Sequence, residues 1–293
     1  MLKEKIVIWG ASITGDNAYN DLNGDYHVDY YCDNDKDKWA SLRNGVPVIS
    51  PDQLLKLEYV REYKIIIASH HSVEIITQLK EMNLQYFEVY FNSKSYWEER
   101  YSNGGHSGSG SYNRLSAYKA EVINNFLIEH NISNAIEWGC GDGHQLSLIN
   151  YSHYVGIDVS KTSVELCKGK FSNKKNYRFF TNLELEKNFL QNKKFDISLS
   201  LDVIYHLVED DIYEVYMQNL FKSSQRFVCI YADDIDVPYR GGHVKHRNFS
   251  HFVKVKMKDW KLSAHIKNTF PYNPEDPYNT SWSDFYFFEY KGD

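Results

Sequence analysis

The stretch NISNAIEWGCGDGHQLSLI, followed by GIDVS, constrains this chain more than any other part of it. Ala135 to Trp138 read as a buried strand, Gly139, Gly141 and Gly143 occupy alternate positions, and a helix is expected next. Asp158 then ends the following strand, 21 residues after Glu137. Glycines so placed let the backbone turn tightly and approach a ligand with no Cβ in the way. An acid at the tip of the next strand can accept both hydroxyls of a ribose. The pattern points to a parallel sheet whose ligand lies outside the carboxyl ends of its strands.

A second beginning of this kind stands near the start. In KIVIWGASITG the apolar run Ile6 to Trp9 reads as a buried strand, Gly10 and Gly15 bracket a turn, and Asp33 ends the strand VDYYCDND. KIIIAS (Lys64 to Ser69), SVEIITQLKEMN and YFEVY then read as strand, helix and strand. The glycine spacing here is G-x4-G, which is neither a dinucleotide fingerprint nor a phosphate-binding loop. Nucleotide or nucleotide-sugar binding and a purely scaffolding role therefore both stay open. The run CDNDKDKWASLRNGVPVISPDQL resembles the small Rossmann-like domain preceding several bacterial sugar-modifying enzymes of glycan loci. That resemblance spans residue 5 to about residue 90.

Hydrophobic residues make up 42% of the 293, enough for sizeable cores, yet no apolar run approaches the roughly 20 residues of a membrane span. The first residues, MLKEKIVIWG, lack the pattern of a secretory signal. Cys32, Cys140, Cys167 and Cys229 are scattered singly, as expected for reduced thiols in a cytoplasm. Residues 1 to 92 carry nine Lys/Arg against fourteen Asp/Glu, whereas residues 240 to 261 carry seven (Arg240, Lys245, Arg247, Lys254, Lys256, Lys258, Lys261) against Asp259 alone. The mildly acidic whole, at a formal charge of −6, argues against a nucleic-acid partner, while the basic segment could receive a small anion or simply be a solvated face.

The pattern EWGCGDG with its downstream acid resembles class I S-adenosylmethionine-dependent methyltransferases. FDISLSLDVIYHLVED is similar to that family's fourth strand and following loop, FVCIYA to its fifth strand, and SDFYFFEY to its terminal antiparallel strand. The resemblance implies an α/β protein of two doubly wound Rossmann-like domains, the second of methyltransferase fold. A first domain over 1–92, a Gly/Ser-rich lid or linker over 93–118 and a catalytic domain over 119–293 are expected. It further assigns Glu137, Gly139, Gly141 and Gly143 to the methionine end of S-adenosylmethionine, Asp158 to its ribose and Val159 to its adenine, with Asp202 and Tyr112 beside them. For the adenine amine, Asn182 and Glu184 remain alternatives.

Acceptor-side candidates form two groups. Asp202, Tyr205 and His206 follow the fourth strand, and RGGHVKHRNF follows the fifth. His206 and His243 are the candidates for base or orienting group; Tyr205, Arg114, His246 and Arg247 are candidates for substrate contacts, with Arg247 suited to an anion. A metal held by His243 and His246 with Asp233, Asp234 or Asp236 has no supporting motif, so none is expected. Between the domains, GGHSGSGSYNRL precedes a helix on which Leu115, Tyr118, Val122 and Phe126 recur at helical spacing, with Ser111 as N-cap. It reads as a lid over the methyl donor, or as a tether. YWEERYSNGGHSGSGSYNRLSAYKAEVI resembles methyltransferases of bacterial capsule and surface-polysaccharide loci. The expected reaction is O-methyl transfer to a sugar, nucleotide-sugar or phosphate-bearing glycan precursor, an anionic small molecule. A small-molecule N-methyltransferase, a non-catalytic binding protein of the same fold, and assembly as a homo-oligomer stay open.

Overall fold

The structure, a computed structural model, describes residues 3–69, 71–184, 195–239 and 242–292, so Arg240 of the basic segment lies outside the described residues. The chain divides into two compact units, Met1–Asn92 with Tyr239–His243, and Ser93–Pro238 with Val244–Asp293. No described helix is long and apolar enough to cross a membrane.

In the first unit β1 (Lys5–Trp9), α1 (Ile13–Leu22), β2 (His27–Cys32), β3 (Leu42–Arg43), β4 (Val46–Ile49), α2 (Pro51–Leu55), β5 (Lys64–Ile67), α3 (Ser72–Glu81) and β6 (Phe87–Val89) follow in order. The sheet order is β3-β4-β2-β1-β5-β6, parallel except where β3 meets β4. Side chains alternate across a strand, and β1 shows the result. Ile6 and Ile8 pack in one cluster with Ala18 of α1, Val7 and Trp9 in another with Ile75 and Leu79 of α3. The acid anticipated at the end of β2 is engaged by its own chain: Asp33 accepts from the Ala11 amide at 2.7 Å and from Lys38 Nζ at 3.1 Å.

The second unit runs α4 (Ser93–Ser102), α5 (Asn113–Glu129), β7 (Asn134–Trp138), β8 (His153–Asp158), α6 (Lys161–Lys170), β9 (Tyr177–Thr181), β10 (Phe195–Leu201), α7 (Asp210–Lys222), β11 (Ser224–Ala232), α8 (Phe249–Lys256), β12 (Trp260–Ile266) and β13 (Asp284–Tyr290). Its seven strands lie in the order β12-β13-β11-β10-β7-β8-β9. They are parallel from β9 to β11, and β13 runs antiparallel to both its neighbours. Phe126 and Leu127 of α5 cover one face with Phe227 and Phe287; Met217, Leu220 and Phe221 of α7 cover the other with Ile136 and Ile230. The α/β fold and the terminal antiparallel strand are as the sequence implies.

Two local expectations are corrected. The glycine turn leads into a short 3₁₀ turn, Gln145–Leu148, rather than an α-helix. The chain must start β8 at His153, which leaves too few residues for several helical turns. Ser111 is also not the cap of α5: it ends a 3₁₀ turn, Ser109–Ser111, and Tyr112 takes the N-cap position without a side-chain bond.

Candidate active site

The carboxyl ends of β7, β8, β9 and β10 open onto a cavity of about 400 Å³. Two glycines of the turn line it and a third stands behind them. Gly139, Gly141 and Gly143 all adopt positive φ, which L side chains rarely do. A Cβ on Gly139 would stand 2.4 Å from Val203, and one on Gly141 would stand 2.3 Å from Ser107 Oγ. Asp158, buried at the tip of β8, accepts from the Gly141 amide and the Ser160 amide, each at 2.9 Å. Burial raises its carboxyl above the ordinary range, against the pull of those hydrogen bonds.

Glu137, another acid of the cavity wall, is shifted in the same direction. Burial raises its pKa to about 7, opposed by the Tyr154 hydroxyl, which donates to it at 2.6 Å, and by the charge of Lys119. Near neutrality it is therefore poised between acid and carboxylate. Two residues past the third glycine, Gln145 is 6% exposed and lines the same cavity. Its Nε2 donates to the Ser116 carbonyl at 3.0 Å, but its Oε1 has no hydrogen-bond partner among the described residues.

The Gly/Ser-rich stretch lies on the glycine turn. The Ser107 amide donates to Asp142 Oδ2 at 2.8 Å, the Asp142 amide donates back to Ser107 Oγ at 3.1 Å, and the Tyr112 hydroxyl reaches Asp142 at 3.0 Å. These bonds outweigh burial and hold Asp142 below the usual carboxylate range. Tyr112 stacks on His144 with 4.0 Å between centroids. Tyr101, Ser107 and Ser111 line the cavity, and α4 is pinned above it by Glu98, which accepts from the Ser160 and Thr162 hydroxyls at 2.7 and 2.6 Å. Gly110 passes so close to Asp202 that a Cβ there would stand 2.8 Å from Oδ2.

Asp202 follows β10 with φ of +58°, a left-handed conformation uncommon for residues other than glycine. Lys119 Nζ lies 2.5 Å from Oδ2 and the Tyr205 hydroxyl 2.8 Å from Oδ1. Lys119 itself is fully buried and sits 5.1 Å from the centre of the Tyr231 ring. His206 lines the cavity and meets Trp97 edge to face at 4.9 Å.

Of the residues singled out from sequence, Glu137, Gly139, Gly141, Asp158, Val159, Asp202 and His206 line one cavity, and Gly143, Tyr112 and Tyr205 support it from behind. The others stand elsewhere. His243 falls with Tyr239–His243 in the first unit and does not line the cavity. Arg114 is engaged by the Asn279 carbonyl at 2.6 Å and Asp276 at 3.0 Å. Arg247, expected to anchor an anion, donates to the Leu207 and Val208 carbonyls and pairs with Asp210, as does Lys245. His246 bonds Asp233. Among the described residues no cluster of His, Cys, Asp and Glu is placed to hold a metal ion. Sequence reasoning passed over Gln145 and Ser107; only their spacing from the glycines could have marked them.

These groups fit a sulfonium nucleoside. The glycine cradle admits close approach of a ligand, the strand-tip acid Asp158 in the cavity wall has the chemistry to accept a ribose diol, and Gln145 Oε1, without a partner among the described residues, and Glu137 in the same lining suit an ammonium group. Asn182 and Leu183 reach the wall beyond β9, whereas Glu184 bonds back to the Thr181 amide at 2.8 Å.

A profile of the methyltransferase-domain family matches residues 129–292, and one for a C2185-like N-terminal region matches residues 2–89. No curated protein sequence matches the chain. Among solved structures, the N-methyltransferase NodS from Bradyrhizobium japonicum WM9, in complex with S-adenosyl-l-homocysteine, aligns with a TM-score of 0.53. The identity is 13%, over 69% of this chain and 100% of that one. Magnesium protoporphyrin IX methyltransferase from Synechocystis PCC 6803 with bound S-adenosylhomocysteine aligns at 13% identity and a TM-score of 0.49, covering 67% of this chain and 97% of that one. The NodS likeness establishes the fold, and the family match spans more than half of the sequence. The chain belongs to the methyltransferase-domain family and is an S-adenosylmethionine-dependent methyltransferase of class I fold.

Proposed function

We propose that this enzyme methylates a hydroxyl group of a sugar or nucleotide-sugar during surface-polysaccharide assembly. The observation that carries the reading is the make-up of the cavity wall past the glycine turn. Trp97 offers an aromatic edge for a sugar ring, His206 stands against it, and Asp202 is fixed beside them. The basic groups anticipated for a phosphate are engaged by other parts of the fold, so the acceptor is a neutral hydroxyl rather than an anionic oxygen. The first unit, in the resemblance of its β2–α2 region to domains of glycan loci, suits the same setting.

In this reading Glu137 and Gln145 take the amino-acid end of the donor, Asp158 its ribose, and Val159 with Asn182 its adenine. When bound, S-adenosylmethionine supplies a methyl group on positively charged sulfur, and the protein orients the acceptor and excludes water. His206 orients the acceptor hydroxyl, while Ser107 and Tyr101 close the site from the lid side. Incubation with S-adenosylmethionine and a panel of UDP-, GDP- and dTDP-sugars, read by mass spectrometry for a gain of one methyl, tests the proposal. Incorporation into amines only would overturn it.

One observation favours a second reading, N-methylation of a small amine. The charged groups lining the cavity are mostly acids, Glu137, Asp142, Asp158, Asp202 and Asp211 against Lys94, which attracts a basic acceptor. Identification of the methylated atom separates the two.

A further inference from the structure

Residues 267–283, which join β12 to β13, carry three exposed aromatic side chains: Trp282 is 61% exposed, Tyr278 72% and Tyr272 37%. Trp282 and Tyr272 stack, with 4.5 Å between ring centres and 19° between their planes. The stack covers one face of Trp282, and the exposure of the ring leaves the opposite face to solvent. We propose that this open face, backed by Tyr272, is the platform for a neutral sugar ring of the acceptor, next to the ring that is methylated. The proposal rests on the sugar-hydroxyl reading above and extends it from one sugar to at least two.

The platform is built in advance. Pro271 and Ser281 form a parallel bridge, which brings the residues that follow them, Tyr272 and Trp282, side by side. The Ser281 amide donates to the Phe270 carbonyl at 3.0 Å, and the Thr280 hydroxyl closes the loop on the Asp276 carbonyl at 2.6 Å. Pro271, Pro274 and Pro277 restrict its backbone. Arg114 of α5 holds it from outside, donating to the Asn279 carbonyl at 2.6 Å and to Asp276 at 3.0 Å. Rings fixed in this way lose little freedom when a ligand arrives.

Its place connects it with the cavity. β13 runs antiparallel to β11 and begins where β11 ends, Asp284 pairing with Ala232, so the segment emerges at the carboxyl edge of the sheet. Ser283, 1% exposed, turns inward, and its Oγ lies 3.4 Å from Oδ1 of Asp202, which lines the cavity. Trp282 is the adjoining residue, its Cα about 3.8 Å from that of Ser283, and its side chain turns to solvent. The ring therefore stands on the solvent side of Ser283, beside the cavity rather than within it. That is a position for a neighbouring sugar, not for the one that receives the methyl.

The chemistry of the surface selects the occupant. The C–H bonds on one face of a pyranose carry slight positive charge and meet the negative face of an aromatic ring. A protein partner or a second copy of the chain needs about 800 Å² from each side, whereas the exposed parts of the three rings come to roughly 300–400 Å². A nucleobase stacks equally well but brings phosphates, and residues 267–283 hold Lys267 alone against Glu275 and Asp276. Arg114, which touches the segment, is already bound to Asp276. A neutral ring suits such a surface.

The test uses the full-length chain and neutral disaccharides to hexasaccharides of glucose, galactose, mannose and N-acetylglucosamine, with UMP as the nucleobase probe. Saturation-transfer NMR is expected to show binding of at least one oligosaccharide. Its Kd should rise tenfold or more in Trp282→Ala and Trp282→Leu, and stay within threefold of wild type in Trp282→Phe. Because the ring is mostly solvated, all three variants should keep the melting temperature within a few degrees and S-adenosylhomocysteine affinity unchanged, which separates lost binding from lost folding. In methyl transfer to the bound oligosaccharide, Trp282→Ala should raise KM tenfold or more with kcat within twofold. Binding of no oligosaccharide at millimolar concentration, equal binding by Trp282→Ala, or displacement of the sugar by UMP would each overturn the platform. If the wild type methylates a sugar hydroxyl and Trp282→Ala keeps its KM, the platform is wrong and the O-methylation reading stands. If only amines gain a methyl, that reading falls and takes the acceptor platform with it.

Discussion

Lys119 and Asp202 join across 83 positions of sequence, Nζ to Oδ2 at 2.5 Å, with the lysine wholly shielded from water and the aspartate side chain 8% exposed. Removing one partner of such a pair leaves an uncompensated buried charge, at a cost of about 3–5 kcal/mol. Lys119→Met is therefore expected to lower unfolding free energy by that amount in urea. The double variant Lys119→Met/Asp202→Leu should recover most of it; equal loss in single and double variants would show that the two charges do not depend on each other.

The state of Glu137 gives the donor affinity a pH dependence. Its pKa in the fold is raised to about 7 from an ordinary value of 4.5, so below neutrality it is mostly protonated. If the proposed placement of the donor's ammonium group beside it holds, that group favours the carboxylate, so binding weakens as the pH falls through 7 and is pH-independent well above it. Titration calorimetry with S-adenosylhomocysteine at pH 6 and pH 8.5 should show tighter binding at the higher pH, and Glu137→Gln should abolish the difference.

Gln145 makes a separable prediction. On the proposed placement of the donor, loss of its Oε1 removes an acceptor from the amino-acid end of the ligand, worth about 1–3 kcal/mol. Gln145→Leu should weaken S-adenosylhomocysteine roughly tenfold or more, about 1.4 kcal/mol per tenfold. Methylthioadenosine, which lacks that end, should bind the variant as it binds the wild type. Equal weakening of both ligands would place Gln145 away from the amino acid.

The contact of Gly110 with Asp202 offers a test of whether the Gly/Ser-rich stretch acts as a lid. A Cβ at 2.8 Å from the carboxylate would push the two apart, so Gly110→Val should lower kcat at least tenfold while the melting temperature changes by only a few degrees. The surrounding stretch, Gly104 to Gly108, should be cut by proteinase K in the free enzyme and protected by saturating S-adenosylhomocysteine. Cleavage at the same rate with ligand present would leave the stretch a tether.

The glycine turn and its strand-tip acid were legible because their geometry is local in sequence. Gly139, Gly141 and Gly143 owe their positive φ to backbone sterics, and Asp158 its contact with the turn to its place at a strand tip, both of which follow from spacing. The acceptor side depends on which charges meet in space, and sequence does not carry that. Arg247 and Lys245 looked like anion anchors, yet both answer Asp210, which sits far upstream. Likewise His246 reads in the sequence as a candidate for a substrate contact, whereas in the fold it bonds the buried Asp233, 13 positions away. The helix expected after the glycines failed for a simpler reason, the short distance left to β8.

The sheet order of the second unit bears on how the protein is made. Strand β13 lies between β11 and β12, and β12 has no other neighbour in the sheet. While a ribosome is still adding the residues up to Tyr290, the flank of β11 that will receive Phe285 and Phe287 stays uncovered, although every strand of the donor site has already emerged. The nascent chain thus passes through an interval in which the ligand-binding half can form while a long apolar edge awaits its last strand. Chaperone contact and aggregation should concentrate in that interval.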